Sequence, residues 1–374
     1  MREFNSQIIQ KGRLLPGIHG LRGIAALAIV LYHLQHLALI NPPPFFQFIG
    51  RDFGYGVHLF FIMSAFSLMH STDYRLNQQH WASDYLIKRF FRIAPLYYCV
   101  MVFMIVAQMY YQDVSGETFV NLIDILLNAT FTFEFVPWSG FVWGGWAIGV
   151  EMIFYVVFPF LILVIRSHRS ALFFLLISII VSSSVRSALH MEHINAVSPT
   201  KWDWSYFAFA PNLCFFAFGM YAYRATLLLE RKTALMRIVI PFIAIILMGG
   251  LMLTNVDQPL MTGSRWDLII WGIGFTALCM WQSSNPTSAI ANRFFEHLGE
   301  RSYSLYLVHP VLITFTKGYL TQFYTFFMPY VGAYAFFICS VLIIGMLLII
   351  VEVTYRIIEI PGIRLGRRLI ASRS

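Results

Sequence analysis

Apolar runs about twenty residues long recur along this chain, and no other feature limits its fold so strongly. A helix needs about 20 predominantly apolar residues to cross the hydrocarbon of a bilayer. Inside lipid, only helices and closed barrels satisfy their own backbone polar groups. Ten such runs are present, at roughly 20–40, 53–71, 93–112, 144–165, 170–188, 205–223, 238–255, 266–283, 302–320 and 329–354. An eleventh segment, 119–135, is shorter and is interrupted by Asn121, Asp124, Asn128 and Glu134. The first run is too long for a cleavable signal peptide, and no small-residue cleavage site follows it. Pro42, Pro43 and Pro44 stop it instead, because consecutive prolines cannot continue a helix. Composition agrees: 58% of the 374 residues are hydrophobic and 12% are charged, about half the charged fraction of a soluble domain. The expected fold is all-α: a polytopic membrane helix bundle of about ten transmembrane helices, forming a single domain over 1–374.

Charge gives the bundle a direction. The net charge of +8 does not point to nucleic acid, because the basic residues sit at the ends of apolar runs, where Lys and Arg mark the cytoplasmic side. With the N-terminus inside and 119–135 not crossing, only Arg51, Arg186, Lys201, Arg265 and Lys317 of the 26 Lys and Arg residues fall outside. If 119–135 crosses, everything after it inverts. The cluster Arg224, Arg231, Lys232 and Arg237 then lands outside, as does the tail with Arg356, Arg364, Arg367, Arg368 and Arg373. The first arrangement is the better one. It places both termini in the cytoplasm, with a short N-terminal segment 1–19 and a basic tail 362–374, and lays 119–135 on the outer face. Cys99, Cys214, Cys279 and Cys339 lie within apolar runs at unrelated spacings, as small buried hydrophobes do, and they suggest neither a disulfide nor a metal framework. Asn128 and Thr130 form a sequon on the predicted outer face, a weak three-residue match.

Titratable groups within membrane helices are costly and face a cavity or a partner, and here they are few. His33 lies in the first run, Glu151 in the fourth and His309 in the ninth. Arg22 sits at the cytoplasmic start of the first run, and Arg89 and Arg92 just before the third. Arg22 and His33 are eleven residues apart, close to three helical turns. They therefore project from nearly one face and differ in depth by about 16 Å. Glu151 and His33 each lie about seven residues below the outer ends of their runs and can share a depth; His309 is expected lower. Arginines at the inner mouth suit an anion such as a phosphate. A histidine beyond them is the commonest general base near neutral pH, and a nearby carboxylate can orient it. A long phosphorylated carrier with its reactive end far from its charges, such as acyl-coenzyme A, has the matching shape. Plainer readings exist for each group. The arginines also serve as topology and lipid-headgroup anchors, and a membrane histidine also serves as a helix–helix hydrogen-bonding residue. His36, His58 and His70 read as boundary or packing residues. Trp138, Trp143, Trp202 and Trp204 gather near the predicted outer face, where an interfacial belt explains them before sugar stacking does.

These residues fall in motifs that resemble the acyltransferase-3 family of bacterial membrane O-acyltransferases. HGLRGIAALAIVLYH (19–33) carries the family's Arg, ten residues and His. GVHLFFIMSAF (56–66) and KRFFRIAPLYY (88–98) follow, the latter with Arg-x-x-Arg at Arg89 and Arg92. WAIGVEMIFYVVFP (146–159) carries the family glutamate at Glu151. LGERSYSLYLVHP (298–310) brings Ser304, Tyr306, His309 and Pro310. The five motifs come in the family's order along most of the chain. The sequence departs from the pattern at His19, Ala65 and Ala147, where Asp, Gly and Ser are usual.

The resemblance implies about ten core helices in the bacterial inner membrane. It implies acetyl-coenzyme A as the donor on the cytoplasmic side, with no metal, and transfer to a hydroxyl of a cell-surface glycan or lipid-linked sugar. Carried over by motif, Arg22 and His33 are the essential pair, Arg89 and Arg92 face the coenzyme, and Glu151 belongs to the catalytic region. Ser64, Ser304, Tyr306 and His309 are the candidates for oxyanion or acceptor contacts. Some members carry an extracytoplasmic hydrolase-like domain, and none is expected here after the tail at Ser374. Membrane lipids and glycan-assembly proteins are the further partners implied. Two other classes fit the same residues: a proton-coupled transporter with His33 and Glu151 as relay, and an acyl-conveying subunit serving a separate transferase.

Overall fold

The computed structural model describes residues 15–115, 121–137, 139–195, 203–229, 234–253 and 265–373. Among them all regular structure is helical. The long helices fall on the ten apolar runs: α1 Pro16–Ala38, α2 Gly56–Thr72, α3 Trp81–Ser115, then, after the short α4 Leu122–Ala129, α5 Gly145–Val164, α6 His168–Asn195, α7 Phe209–Leu229, α8 Ile240–Leu253 and α9 Trp266–Ser284. After the short α10 Arg293–Glu300 come α11 Ser302–Val331, α12 Ala335–Thr354 and α13 Ile360–Ala371. By length and composition, eight segments can cross a membrane, the last of them, Ser302–Ala371, holding both α11 and α12. α9 forms over the expected run but is not among the eight, since Asp267, Gln282 and its serines dilute its apolar content. α4 has eight residues and spans about 12 Å, too short to cross, as expected for 119–135; residues 119 and 120 lie outside the described ones.

Local chemistry sets the ends. Pro16 opens α1 at a position where a missing N–H costs nothing. Leu39, in the left-handed region at φ 58°, and the prolines that follow close it. Gly332, at φ 57°, ends α11. Asn121 caps α4 by accepting from the Asp124 N–H.

The chain forms two compact units. The first holds residues up to Ile29, Arg51–Trp81 and Val157–Glu300. Here α7 packs on both α2 and α6, and α9 packs on α7 and α8. A side chain at Gly219 would strike Ile62 and Ala65 of α2, so the two backbones touch there. The foot of α1 is built the same way: Gly17, Gly20 and Gly23 lie against the backbone of Gln282, Ile290 and Phe295, and Gly299 against His19. Arg224 of α7 binds Asp73 through both terminal nitrogens, each at 3.0 Å, and donates to the Ile165 carbonyl.

The second unit holds Val30–Gly50, Ala82–Val156 and residues from Arg301 onward. α11 packs on α12. The basic tail is a helix, α13, whose Gly362 and Gly366 approach Pro95 and Phe91 of α3.

Two expectations change. Cys99 is exposed, whereas Cys214, Cys279 and Cys339 are buried, and all four are free. Cys99 shares an outward stripe of α3 with the exposed Val102, Phe103 and Val106. Hydropathy alone cannot tell such a stripe from the core, because both are apolar in a membrane. The sequon asparagine, Asn128, is fully buried and bonds to Tyr97, Asp124 and Ser139, so it is no surface acceptor. Trp138 and Trp202 lie outside the described residues.

Candidate active site

The second unit brings His33 of α1 and His309 of α11 into contact. His309 Nε2 lies 3.0 Å from His33 Nδ1. The expectation that His309 sits lower than His33 is therefore corrected. The count from helix ends fails because helices need not begin at one level in a bilayer, so a contact and not a run length fixes the relative height of two side chains.

Partners fix the tautomers. His309 Nδ1 is 3.1 Å from the Leu305 carbonyl, which only accepts, so Nδ1 carries the proton. The Tyr306 carbonyl stands alongside. That carbonyl loses its helical donor because Pro310, four residues on, has no N–H. With Nδ1 protonated, the neutral ring has its lone pair on Nε2, which accepts from Nδ1–H of His33. The lone pair of His33 then resides on Nε2. This is the orienting logic of a histidine–carboxylate pair, with a neutral imidazole in the carboxylate's place. His309 is 1% exposed, and His33 is half-buried.

Tyr306 packs beside His309, ring centroids 5.8 Å apart, and lies within electrostatic range of Glu151. Gly144, at φ 72°, starts α5 against Tyr306 and Pro310. Seven residues along, Glu151 accepts a hydrogen bond from Tyr155, one turn further. Tyr155 and Tyr85 flank Arg89, whose guanidinium carbon is 5.8 Å and 5.9 Å from their ring centroids. The structure thus links the Arg-x-x-Arg element to the glutamate through one aromatic ring. Arg89 keeps a buried Nε without a hydrogen-bond partner. Arg92 is half-buried and within electrostatic range of Glu359.

Ser304 is committed elsewhere. It is fully buried and donates to Glu359, itself 1% exposed. Of the remaining expected residues, Arg22, half-buried, and Ser64, 3% exposed, belong to the first unit. Arg22 and His33 share α1, about 16 Å apart along it.

Sequence reasoning passed over Tyr155 and Glu359, and took Glu134 only as an interruption of 119–135. Tyr155 had a signal in its four-residue spacing from Glu151, and Glu359 in being an acid within an apolar stretch. Glu134, on the turn Phe133–Phe135, lies against Gly149 of α5, where a side chain would come 2.6 Å from its Cγ. Neither carboxyl oxygen has a hydrogen-bond partner, and burial pushes the group up to about 9.

Comparison with known proteins matches residues 15–350 to the model of the acyltransferase domain family. Over 372 residues the chain is 23% identical to the peptidoglycan O-acetyltransferase OatA of Listeria monocytogenes, covering 93% of this chain and 56% of that protein. The O-acetyltransferase OatA of Staphylococcus aureus is 25% identical over 375 residues, covering 93% and 57%. The chain therefore spans little more than half the length of these relatives. No solved structure matches it.

Proposed function

The chain belongs to the acyltransferase domain family, and from that premise we propose that it is a membrane O-acyltransferase of the bacterial inner membrane. It moves an acetyl group from acetyl-coenzyme A on the cytoplasmic side to a hydroxyl of a cell-surface glycan or glycolipid sugar. The observation that carries this reading is the His33–His309 pair, which leaves the lone pair of His33 on Nε2.

In this reading the phosphates of the coenzyme meet Arg89 and Arg92. The acceptor hydroxyl gives its proton to His33 Nε2 as its oxygen attacks the thioester carbonyl. The C–O bond forms, the C–S bond breaks, and the departing thiolate takes the proton from the His33 imidazolium. His309 supports the transient cation because its Nε2 accepts, and Glu151 supplies negative charge on the same unit. Tyr306 is the donor for the developing oxyanion. Ser304 is not assigned to that role, since its proton goes to Glu359.

The test is transfer from acetyl-labelled coenzyme A by purified protein in lipid, with a glycan acceptor. His33→Ala is expected to lose about 10²–10⁴-fold in turnover while binding coenzyme normally. Arg89→Ala is expected chiefly to weaken coenzyme binding. Full turnover in His33→Ala refutes the assignment. Labelled acetyl that crosses sealed vesicles with no ester formed makes the chain a transporter or a conveying subunit instead.

A further inference from the structure

The largest fully buried side chain among the described residues is a cation that the acyl-transfer chemistry does not use. Arg186, in the last third of α6, is 1% exposed. One guanidinium nitrogen, Nη2, donates to the Pro211 carbonyl at the start of α7. Nε and Nη1 are buried with no hydrogen-bond partner. A guanidinium cannot shed its charge, and a buried charge is ordinarily paired.

Asp267 is the carboxylate within electrostatic range of Arg186, and the acids of this part of the first unit are already engaged. Asp52 is paired with Arg51 at 2.7 Å. Asp267 accepts from Arg265 through both oxygens, at 2.9 Å and 2.8 Å, and from Tyr55 at 3.1 Å. Among the described residues none ion-pairs with Arg186. Two cations meet two anions, and Arg186 leaves one positive charge over.

Two further buried polar groups gather there. His58 of α2 is fully buried, and its ring faces the Asn212 side chain without full hydrogen-bond geometry. It lies within electrostatic range of Arg186 and beside Asn212. Asn212, also fully buried, sits in the first turn of α7, where the helix dipole favours negative charge. Its amide donates to the carbonyls of Tyr206 and Ala208, which holds the head of α7 in place. The ring of Phe215, 4.2 Å from that of His58, closes the site with apolar surface.

We propose that Arg186, with His58 and the first turn of α7, forms a buried anion-binding site that takes one negative charge of carboxylate or halide size. The charge comes from one of two sources: a small anion drawn from solution, or the carboxylate of an acidic sugar entering as part of an acceptor. A guanidinium captures a planar carboxylate along one edge, Nε with Nη2 or Nη1 with Nη2, and Nη2 has a second hydrogen besides the one given to Pro211.

The test is thermal unfolding of the full chain in lipid nanodiscs. Sodium chloride, sodium acetate or sodium glucuronate replaces the salt of a bulky sulfonate at constant ionic strength. A saturable rise in Tm of several degrees with chloride or acetate supports a free anion at the site. A saturable rise with glucuronate alone supports an acceptor carboxylate. Equal Tm in all four salts overturns the proposal, and this reading needs only the unmodified protein. Arg186→Gln should abolish the saturable shift, and a shift of the same size in that variant overturns the assignment to Arg186. Loss of acetyl transfer is not a readout here, so failure of this site is distinguishable from failure of the acyl-transfer reading.

Discussion

Replacing Glu134 by Gln should change how stability depends on pH. Glu134 is 5% exposed, with neither oxygen hydrogen-bonded. Its carboxyl titrates near 9 in the folded chain against 4.5 ordinarily. The folded state therefore keeps a proton that the unfolded chain releases between those values. By linkage, this contribution to stability is fully present below pH 4.5, falls as pH rises, and is lost by about pH 9. At 1.36 kcal/mol per unit, the wild type should lose on the order of 4 kcal/mol between pH 5 and pH 8 through this group. Gln stays neutral throughout, so Glu134→Gln should lack that slope while keeping every other titration. The assay is unfolding of wild type and variant in nanodiscs at intervals from pH 5 to pH 8. Their difference isolates Glu134, and the variant should gain on the wild type as pH rises. Parallel curves would refute the argument from burial.

Gly219→Ala should destabilise by about 1–3 kcal/mol, because the new methyl meets Ile62 and Ala65 of α2. Gly249→Ala on α8 meets nothing within 4 Å and should stabilise by up to about 1 kcal/mol; unfolding curves of the two variants check the contrast. Ser304→Ala removes the hydroxyl donor to the buried Glu359 and should cost about 1–3 kcal/mol. It should also lower turnover more than coenzyme affinity, which kcat and KM separate.

Much of the helix count was legible because the lengths of the apolar runs are dictated by the bilayer rather than by any partner. The runs predicted over 53–71, 144–165 and 302–320 coincide with α2, α5 and the first part of α11. The ends were less legible. α1 begins at Pro16 rather than near residue 20, because Gly17 packs on Gln282, a contact that no local signal announces. The site was legible as a set of residue types and not as a set of pairs. Counting residues from helix ends put His33 level with Glu151 and His309 lower. That count assumes that helices begin at one level, and the His33–His309 contact shows that α1 and α11 do not. Arg186 read as one of five outer basic residues, since exposure of a helix face to lipid or to protein leaves no mark on an apolar sequence. Glu134 read as an interruption of a doubtful segment, and only its packing against Gly149 shows how dry it is.

The first turn of α11 explains why one histidine needs so much chain around it. Arg301 pairs with Glu352 at 2.6 Å and lies 4.4 Å over the Tyr355 ring. Tyr303 donates to the Ile93 carbonyl of α3 at 2.7 Å, and Ser304 donates to Glu359. Tyr355–Glu359 is a π-helical turn, which carries an extra residue relative to an α-helical one. It therefore separates two acids that a straight helix would stack seven residues apart. Glu352 stays half-buried with Arg301 and Arg356, and Glu359 turns wholly inside to Ser304. Three tethers thus hold residues 301–304, one to α12, one to the π-helical turn after it and one to α3. His309 is five residues further, less than two turns, so its height is set before its own contacts form. That height matters because its bond to His33 is 3.0 Å long, and a displacement of about 1 Å would take it out of hydrogen-bonding range. The buried acid at Glu359 is therefore best understood as a positioning residue for the histidine pair, acting through Ser304 rather than on a substrate.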